Sequence, residues 1–449
     1  MQDWYKTQNF CLVPFLLMNS RGFGRVKICS QISGFMGVPK DEHFTSLQEF
    51  SQRSYSVDEC YNLNDHSIEE IWNSKFMRAF RMAKINNVEM GCCRVCRKDE
   101  TVGGGRDSKR QSVLAKLGEQ HRWRVEQAIK NNGALQARPA WWDLRLSNRC
   151  NMACRMCLPQ SSSKLLVEFR QNREKLTPLD HHNLQITEQE MAKNGWLADS
   201  DRFLEDFLDQ ARDIEVIELH GGEPTIEPGF WKLLSGLIES GHAENIKIVI
   251  HTNILKLTSD QIDILDCFQG GKFIASIDSI GRENDFLRYP SKWDDVKKNI
   301  PLFAKLGKGW IKNIHQTISA YQCCTVHKFL EFFEQLIVKH NLSLGWSFAF
   351  VTNPDWLCIS NIPLHLRQAE AHRLQMFYER TPLVEESYFD HQRFRRELQR
   401  LINALNTDMP RKERAYQDFL KESAYFDEAR SESATDVFPH YRELFLGES

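Results

Sequence analysis

The sequence predicts an α/β fold: a partial (β/α)6 barrel, preceded by a cysteine-rich domain and followed by a helical region. Three observations predict it. From Trp141 onward, short apolar runs of strand character alternate with amphipathic helical patterns, as parallel βαβ units require. Six such runs occur, short of the eight that close a full barrel. Cysteines crowd the first hundred residues and one stretch near residue 150, whereas from about Pro363 the chain is charged, helical in pattern and free of cysteine.

A length of 449 residues suits two or three domains. The expected boundaries are 1–110 for the cysteine-rich domain, 111–140 for a helical linker, 141–352 for the barrel and 353–449 for the helical region. Hydrophobic residues at 41% and charged residues at 26% exclude a disordered or fibrous chain. With 58 basic and 60 acidic residues the net charge is −2, so no global field draws the chain to nucleic acid or anionic lipid. Neither is expected as a partner. The strongest apolar run, Phe10 to Met18, is broken by Pro14 and is too short to span a membrane. It has only Lys6 ahead of it and no small-residue cleavage site behind, so it does not read as a signal peptide. A cytoplasmic protein is expected, where thiols stay reduced and clustered cysteines serve metal or redox chemistry.

In chain order, Cys11–Met18 and Gly24–Ser30 read as two strands joined by a turn-rich segment, a hairpin whose outer ends make Cys11 and Cys29 neighbours. Ser67-Ile-Glu-Glu70 opens a helix with a capping box, and Ile68, Ile71, Trp72, Phe76 and Phe80 share its face. That helix leads to Gly91-Cys-Cys-Arg-Val-Cys96, and the Gly103–Lys109 stretch reads as a flexible boundary. The barrel strands are expected at Trp142–Leu146, Ile214–Leu219, Ile246–His251, Phe273–Ile277, Ile314–Ser319 and Leu344–Val351. Between them, Phe230, Leu233, Leu234, Leu237 and Ile238 line one helical face that ends at Gly241, and Leu330, Phe333, Leu336 and Ile337 line another.

Cys150, Cys154 and Cys157 form a C-x3-C-x2-C loop directly after the first barrel strand. Three thiolates on one loop can hold three irons of a four-iron cluster and leave the fourth open to a ligand, where electron-transfer clusters take four. The plainer reading is a zinc knuckle short of a ligand. His220-Gly-Gly-Glu-Pro224 ends the second strand. Its paired glycines let backbone approach a ligand closely, and Glu223 offers a carboxylate to an ammonium group; alone, the segment would read as a strand-to-helix turn.

Together the cysteine loop and the GGEP segment resemble the radical S-adenosylmethionine (radical SAM) superfamily, over roughly Trp141 to Val351. The resemblance implies a [4Fe-4S] cluster on Cys150, Cys154 and Cys157, whose open iron chelates S-adenosyl-L-methionine. It implies that Gly221, Gly222 and Glu223 hold the methionine amino group, and that Thr252 and Asn253 form the polar end of the next strand. It places Ser276 and Asp278 near the ribose and Arg288 near the cofactor carboxylate. Met156 stands where the family often has an aromatic residue against the adenine, a role an apolar, polarizable side chain can fill.

The N-terminal pattern resembles the SPASM/twitch auxiliary-cluster module, fused here ahead of the barrel. The resemblance implies a second, auxiliary [4Fe-4S] cluster on Cys11, Cys29, Cys93 and Cys96, with Cys92 or Cys60 able to replace a ligand. Ser30 stands where relatives often have a second adjacent cysteine, and a treble-clef-like zinc site remains the other reading of the same thiols. Near the end of the barrel, Asp355 and Trp356 are candidate substrate contacts, and the helical patterns at Phe394–Leu405 and Arg414–Tyr425 read as helices capping the barrel.

The resemblance implies an oxidoreductase or peptide-modifying enzyme that cleaves S-adenosylmethionine reductively to a 5′-deoxyadenosyl radical and abstracts hydrogen from a substrate C–H bond. The cofactor supplies that chemistry and the protein orients it. A ribosomally made peptide is the leading substrate and a sugar or small metabolite the alternative. A flavodoxin- or ferredoxin-type reductant is the expected electron source. A non-catalytic zinc or iron–sulfur protein, touching nucleic acid through the basic Arg106–Arg124 stretch, is the remaining alternative, and the neutral overall charge opposes it. No residue is singled out as the catalytic acid or base.

Overall fold

The computed structural model describes residues 7–32, 46–52, 60–101, 108–388, 390–442 and 444. Most of the Gly103–Lys109 boundary lies outside them. The strands are β1 (Leu17–Ser20), β2 (Val26–Lys27), β3 (Trp141–Arg145), β4 (Val216–His220), β5 (Lys247–Thr252), β6 (Gly270–Ser276), β7 (Trp310–Ile318) and β8 (Gly345–Phe350). They run in the order β2-β1-β3-β4-β5-β6-β7-β8 in one sheet. β3 to β8 are the six expected barrel strands, each within a few residues of its expected place. By their internal contacts the residues divide into two units, the first made of Met1–Ser147, Gln189–Gly221 and Glu227–Ile248, the second of Asn148–Glu188, Gly222–Ile226 and Val249–Ser449.

In the first unit the N-terminal hairpin joins the barrel sheet. β1 pairs antiparallel with β2 (Asn19↔Lys27) and parallel with β3 (Leu17↔Trp141, Asn19↔Asp143). The hairpin is shorter than its apolar pattern suggests. Pro14 has no N–H for a ladder, and Val13–Phe15 forms a 3-10 turn, so the strand starts only at Leu17. β3 pairs parallel with β4 from Trp141↔Val216 to Arg145↔His220. Alternation fixes the faces: Trp142 and Leu144 are fully buried, with Trp142 edge-on to Phe207 at 4.9 Å, whereas Trp141, Asp143 and Arg145 point to the opposite side.

The capping box at Ser67 is present, with both of its hydrogen bonds made. The helix it opens ends at Trp72, and Ser74 caps a second helix, Lys75–Ile85. A strong N-cap inside an apolar pattern competes with continuing the helix, so one expected helix is two. Ile68, Ile71, Trp72, Phe76 and Phe80 are nonetheless all buried. From the second helix Arg81, fully buried, donates to the carbonyls of Pro14, Gly133 and Trp72 at 2.9, 2.9 and 2.8 Å.

In the second unit β6, β7 and β8 are parallel, in register from Gly271↔Trp310 and from Asn313↔Gly345. Phe273, Ala275 and Ile277 are buried on one face, with Phe273 stacked on Phe303 at 5.3 Å. The other face carries Ser276, His315 and Ser347, with His315 Nδ1 2.9 Å from Ser347 Oγ. The C-terminal helices His391–Asn406 and Glu413–Arg430 pack through Phe394, Leu398, Phe419 and Phe426, and Phe394 stacks on Phe333 at 6.2 Å.

One polar pair is buried in this packing. Glu422 is 2% exposed and Asp180 7%, and Thr177 Oγ1 donates to Glu422 at 2.5 Å. Burial, then the Asp180 charge, pushes Glu422 up to about 8, and burial pushes Asp180 up to about 6. A carboxyl whose folded pKa lies above its unfolded value stabilises the fold fully below the unfolded value and loses that contribution as pH rises through the folded one. The melting temperature should therefore fall between pH 5 and 9. Glu422→Gln should flatten that slope and raise the melting temperature at pH 8, as differential scanning fluorimetry would show; an unchanged slope would contradict the buried pair.

Candidate functional site

The cysteine loop leaves β3 and is pinned at several points to the chain that follows it. Ser163 Oγ accepts from Cys150 N (3.0 Å) and donates to Cys150 O (3.2 Å). Ser162 Oγ donates to Met152 O at 2.5 Å, and Asn148 Nδ2 donates to Pro159 O at 2.8 Å. Both serines sit at the start of the helix Ser163–Gln171, where Ser162 is also the N-cap. The segment around Cys154 is bonded to the segment around Arg288: Ala153 N donates to Tyr289 O (2.6 Å) and Arg155 N to Leu287 O (2.9 Å). The residues that flank one thus hold the residues that flank the other.

This places Arg288 against the thiols. Its Nε lies 2.7 Å from Asp278 Oδ2, and Asp278 Oδ1 accepts from Thr317 N at 2.7 Å. Although burial works against its charge, Asp278 and then Cys154 hold the Arg288 guanidinium firmly protonated. Burial pushes the Cys154 thiol up to about 12, against the pull of Arg288, and burial raises Cys150 as well, with Cys154 and Cys157 adding to it. Thiols that resist ionisation in water-poor surroundings become thiolates when a positive metal centre takes them as ligands.

The two glycines are dictated by close approach. Gly221 has φ +92°, and a Cβ there would stand 2.9 Å from Ser147 O. A Cβ on Gly222 would stand 2.0 Å from Arg149 O, the carbonyl that also accepts from Glu223 N at 2.7 Å. Glu223 is 2% exposed. Its carboxylate accepts from Thr225 N (3.0 Å), Thr225 Oγ1 (2.7 Å), Thr252 Oγ1 (2.5 Å) and Asn253 N (2.7 Å). These four donors take most of a carboxylate's acceptor capacity, so what Glu223 visibly does is lock the glycine turn to the end of β5. Asn253 Nδ2 in turn donates to Asn151 Oδ1 at 2.8 Å, reaching back into the cysteine loop. Gly222, Glu223, Thr252, Asn253, Asp278 and Arg288 are thus brought together with the loop. Met156 and Ser276 are half-buried; Ser276 lies opposite His315 in the sheet register.

Sequence reasoning missed what holds the loop from the C-terminal side. Arg155, fully buried, lies over the Phe286 ring at 3.6 Å and donates to Asp427 (2.7 Å) and Glu432 (3.0 Å). Arg430 donates to Ala153 O at 2.7 Å and pairs with Glu168 at 3.0 Å. The helix Glu413–Arg430 therefore clamps both residues beside Cys154. The signal was an arginine inside the cysteine motif, whose partners lie too far along the chain to be guessed. Trp356, a candidate contact from sequence, is 4% exposed and packed, whereas Asp355 is exposed.

In the first unit Cys11, Cys29, Cys93 and Cys96 line one cavity, together with Cys92, Val13, Ile28, Phe80, Lys84 and Arg110. Cys60 is not among its lining residues. Lys84 Nζ donates to Cys93 Sγ at 3.2 Å, and Gln31 N donates to Cys29 Sγ at 3.4 Å. A hydrogen bond from Cys92, then the Lys84 charge, draws the Cys93 thiol down to about 6. Burial pushes Cys11 up to about 12 and raises Cys29 and Cys96. Sulfurs bound to one tetrahedral zinc stand about 3.8 Å apart. Among the described residues no three cysteine sulfurs fall within 4.8 Å of one another. Four thiols lining one cavity, with cations beside them, are a donor set suited to an iron–sulfur cluster, and the three thiols of the barrel loop are one suited to a cluster with an open iron.

Residues 144–315 match the radical SAM superfamily, and residues 24–97 match an iron–sulfur cluster-binding domain, SPASM. No curated protein matches the chain. Among solved structures, native anSMEcpe with bound AdoMet is 15% identical with a TM-score of 0.34, over 52% of this chain and 58% of that one. Streptococcus suis SuiB bound to precursor peptide SuiA is 15% identical with a TM-score of 0.34, over 68% and 63%. The chain thus spans a little over half the length of the first of these.

Two substitutions test the loop's supports. Gly222→Ala should cost about 1–3 kcal/mol through overpacking and lower the iron retained after anaerobic reconstitution. Arg155→Met should lower the melting temperature and expose the helix Glu413–Arg430 to limited proteolysis. Wild-type iron content and protection in both variants would contradict the assigned roles. A radical SAM domain carries a [4Fe-4S] cluster with S-adenosylmethionine, and a SPASM domain binds auxiliary iron–sulfur clusters; residues 144–315 of this chain match the first and residues 24–97, ahead of them in sequence, match the second.

Proposed function

We propose that the protein is a radical SAM enzyme that modifies a ribosomally made peptide, in the boundaries 1–110, 111–140, 141–352 and 353–449 set out above. The observation that carries the enzyme reading is the cysteine loop itself, three half-buried thiols on a loop held against Arg288 and the glycine turn. When bound there, the cluster and S-adenosylmethionine supply a 5′-deoxyadenosyl radical able to take hydrogen from an unactivated C–H bond. The chain's own residues do the rest. Cys150, Cys154 and Cys157 would hold the barrel cluster. Gly222 lets the Arg149 carbonyl of the cysteine loop close onto the glycine turn, and Glu223 keeps Thr252 and Asn253 in place to meet a ligand's polar end. Arg288, neutralised in part by Asp278, provides the positive charge for a carboxylate or for the cluster's own negative charge.

Cys11, Cys29, Cys93 and Cys96 would hold the auxiliary cluster, with Lys84 offsetting its charge. The peptide as substrate class rests on the iron–sulfur domain, and a flavodoxin- or ferredoxin-type reductant fits a chain that must receive single electrons. No described helix is long and apolar enough to cross a membrane, and we place the enzyme in the cytoplasm.

Anaerobic reconstitution should give about eight irons per chain, falling to about four in the Cys150/Cys154/Cys157→Ala variant and to about four in Cys93/Cys96→Ala. With dithionite and S-adenosylmethionine, the first variant should make no 5′-deoxyadenosine. A chain that binds zinc in place of iron, or that makes 5′-deoxyadenosine without the barrel thiols, would overturn the reading.

A further inference from the structure

One face of β1 to β4 carries a set of ionisable side chains in two rows. The pairings Lys27↔Asn19, Asn19↔Asp143 and Asp143↔Glu218 put Lys27, Asn19, Asp143 and Glu218 side by side across four strands. One step along, Arg145 stands opposite His220, and Arg21 follows β1 directly on the Arg145 side. Neighbours in such rows are about 4.8 Å apart at the backbone.

The acidic end of this face is internally bonded. His220 Nε2 lies 3.2 Å from Glu218 Oε2 and 3.9 Å from Asp143 Oδ1. Trp141 Nε1 donates to Glu218 Oε1 at 3.1 Å, and Asn19 Nδ2 donates to Asp143 Oδ2. That leaves Asp143 Oδ1, on a side chain 3% exposed, buried without a hydrogen-bond partner.

The basic end is not neutralised. Among the described residues neither Arg21 nor Arg145 makes an ion pair, and Arg145 Nε is buried without a partner. Lys27, 8% exposed, donates only to Ile32 O at 3.4 Å. Burial, then the Arg145 charge, pushes Arg21 down to about 10, against the pull of Asp143. Cys29 and Asp143 are the opposing charges that reach Lys27. Lys109, also on this side, is engaged with Ser30 Oγ at 2.9 Å and lies over the Trp141 ring at 4.8 Å. Three cations drawn wholly or partly out of water, none of them in an ion pair among the described residues, are costly to keep, and such polar groups gather where a ligand completes them.

We propose that this face is a recognition site for a carboxylate-bearing ligand, with Arg21, Arg145 and Lys27 receiving the carboxylate and Asp143 Oδ1 accepting from an N–H or ammonium group of the same ligand. An acidic peptide segment carries both groups, a carboxylate and backbone N–H donors. Although Asp143, Glu218 and His220 offer three ligand atoms within 4.8 Å, a divalent cation there would face three unpaired positive charges. A phosphate would face two carboxylates. Calling the ligand the substrate rests on the function proposed above; the site itself does not. Arg145 is followed in sequence by the cysteine loop and His220 by the glycine turn.

The test is a binding titration on the reconstituted full chain, read by tryptophan fluorescence, with a blocked tripeptide containing one glutamate, its glutamine counterpart and inorganic phosphate. The glutamate peptide should saturate and the glutamine peptide should bind about tenfold more weakly. Arg21→Gln and Arg145→Gln should erase that preference while melting no lower than wild type, because each removes an unpaired cation. Equal binding of the two peptides would overturn the proposal. So would phosphate binding that the glutamate peptide fails to displace, which would indicate a phosphorylated small molecule. A lower melting temperature in both variants would assign the arginines to structure instead. Iron content and 5′-deoxyadenosine are measured on the same samples; their loss would sink the enzyme reading and leave the binding result standing.

Discussion

The closest approach in the candidate site is between Gly222 and the carbonyl of Arg149, where a Cβ would stand 2.0 Å away. Much of the surrounding geometry follows from it. The cysteine loop can lie against the glycine turn only because that residue has no side chain, and the contact is sealed by Glu223 N on the same carbonyl. The Glu223 carboxylate, with four donors on it, then ties the turn to Thr252 and Asn253, and Asn253 reaches Asn151. A short chain of contacts returns to the loop it started from. Such closed circuits fix ligands within the tolerance a reactive site needs.

The loop's far side depends on charge. Three thiols in surroundings that oppose ionisation would be a liability without positive groups nearby, and Arg288, Arg155 and Arg430 converge there. Arg288, and more weakly Arg430, oppose the burial that raises the Cys154 thiol. Arg155 and Arg430 spend their charge on Asp427, Glu432 and Glu168 and so act through the positions of Ala153 and Cys154. The C-terminal helices are therefore part of the machinery that holds the loop. In the first unit Lys84 and Arg110 stand around the second group of thiols. Cations beside sulfur ligands favour the thiolate form and stabilise a negatively charged cluster.

Much of this was legible from sequence, for physical reasons. The barrel strands are short apolar runs bounded by turn residues, and each formed. The cysteine loop and glycine pair are local motifs whose spacing carries their geometry. The hairpin was legible in its topology, which brought Cys11 and Cys29 to one cavity, but not in its length, because Pro14 turns the chain before pairing begins. The helix after Ser67 was legible in its buried face and not in its break, because Ser74 caps a new helix within the same apolar pattern. What could not be read is whatever joins residues far apart in the chain: the grip of Arg155 and Arg430, the four donors on Glu223, and the rows formed by Lys27, Asn19, Asp143 and Glu218. A capping helix and a clamping helix have the same amphipathic pattern, so the sequence favoured the plainer description.

The central claim is that the barrel thiols hold a cluster with one iron open to S-adenosylmethionine, while the N-terminal thiols hold a closed one. Electron paramagnetic resonance of the dithionite-reduced, reconstituted chain tests it most directly. The account predicts two cluster signals, of which one shifts on adding S-adenosylmethionine and disappears in the Cys150/Cys154/Cys157→Ala variant, while the other is indifferent to it. A shift that survives that triple substitution, or two signals that both ignore S-adenosylmethionine, would contradict the account.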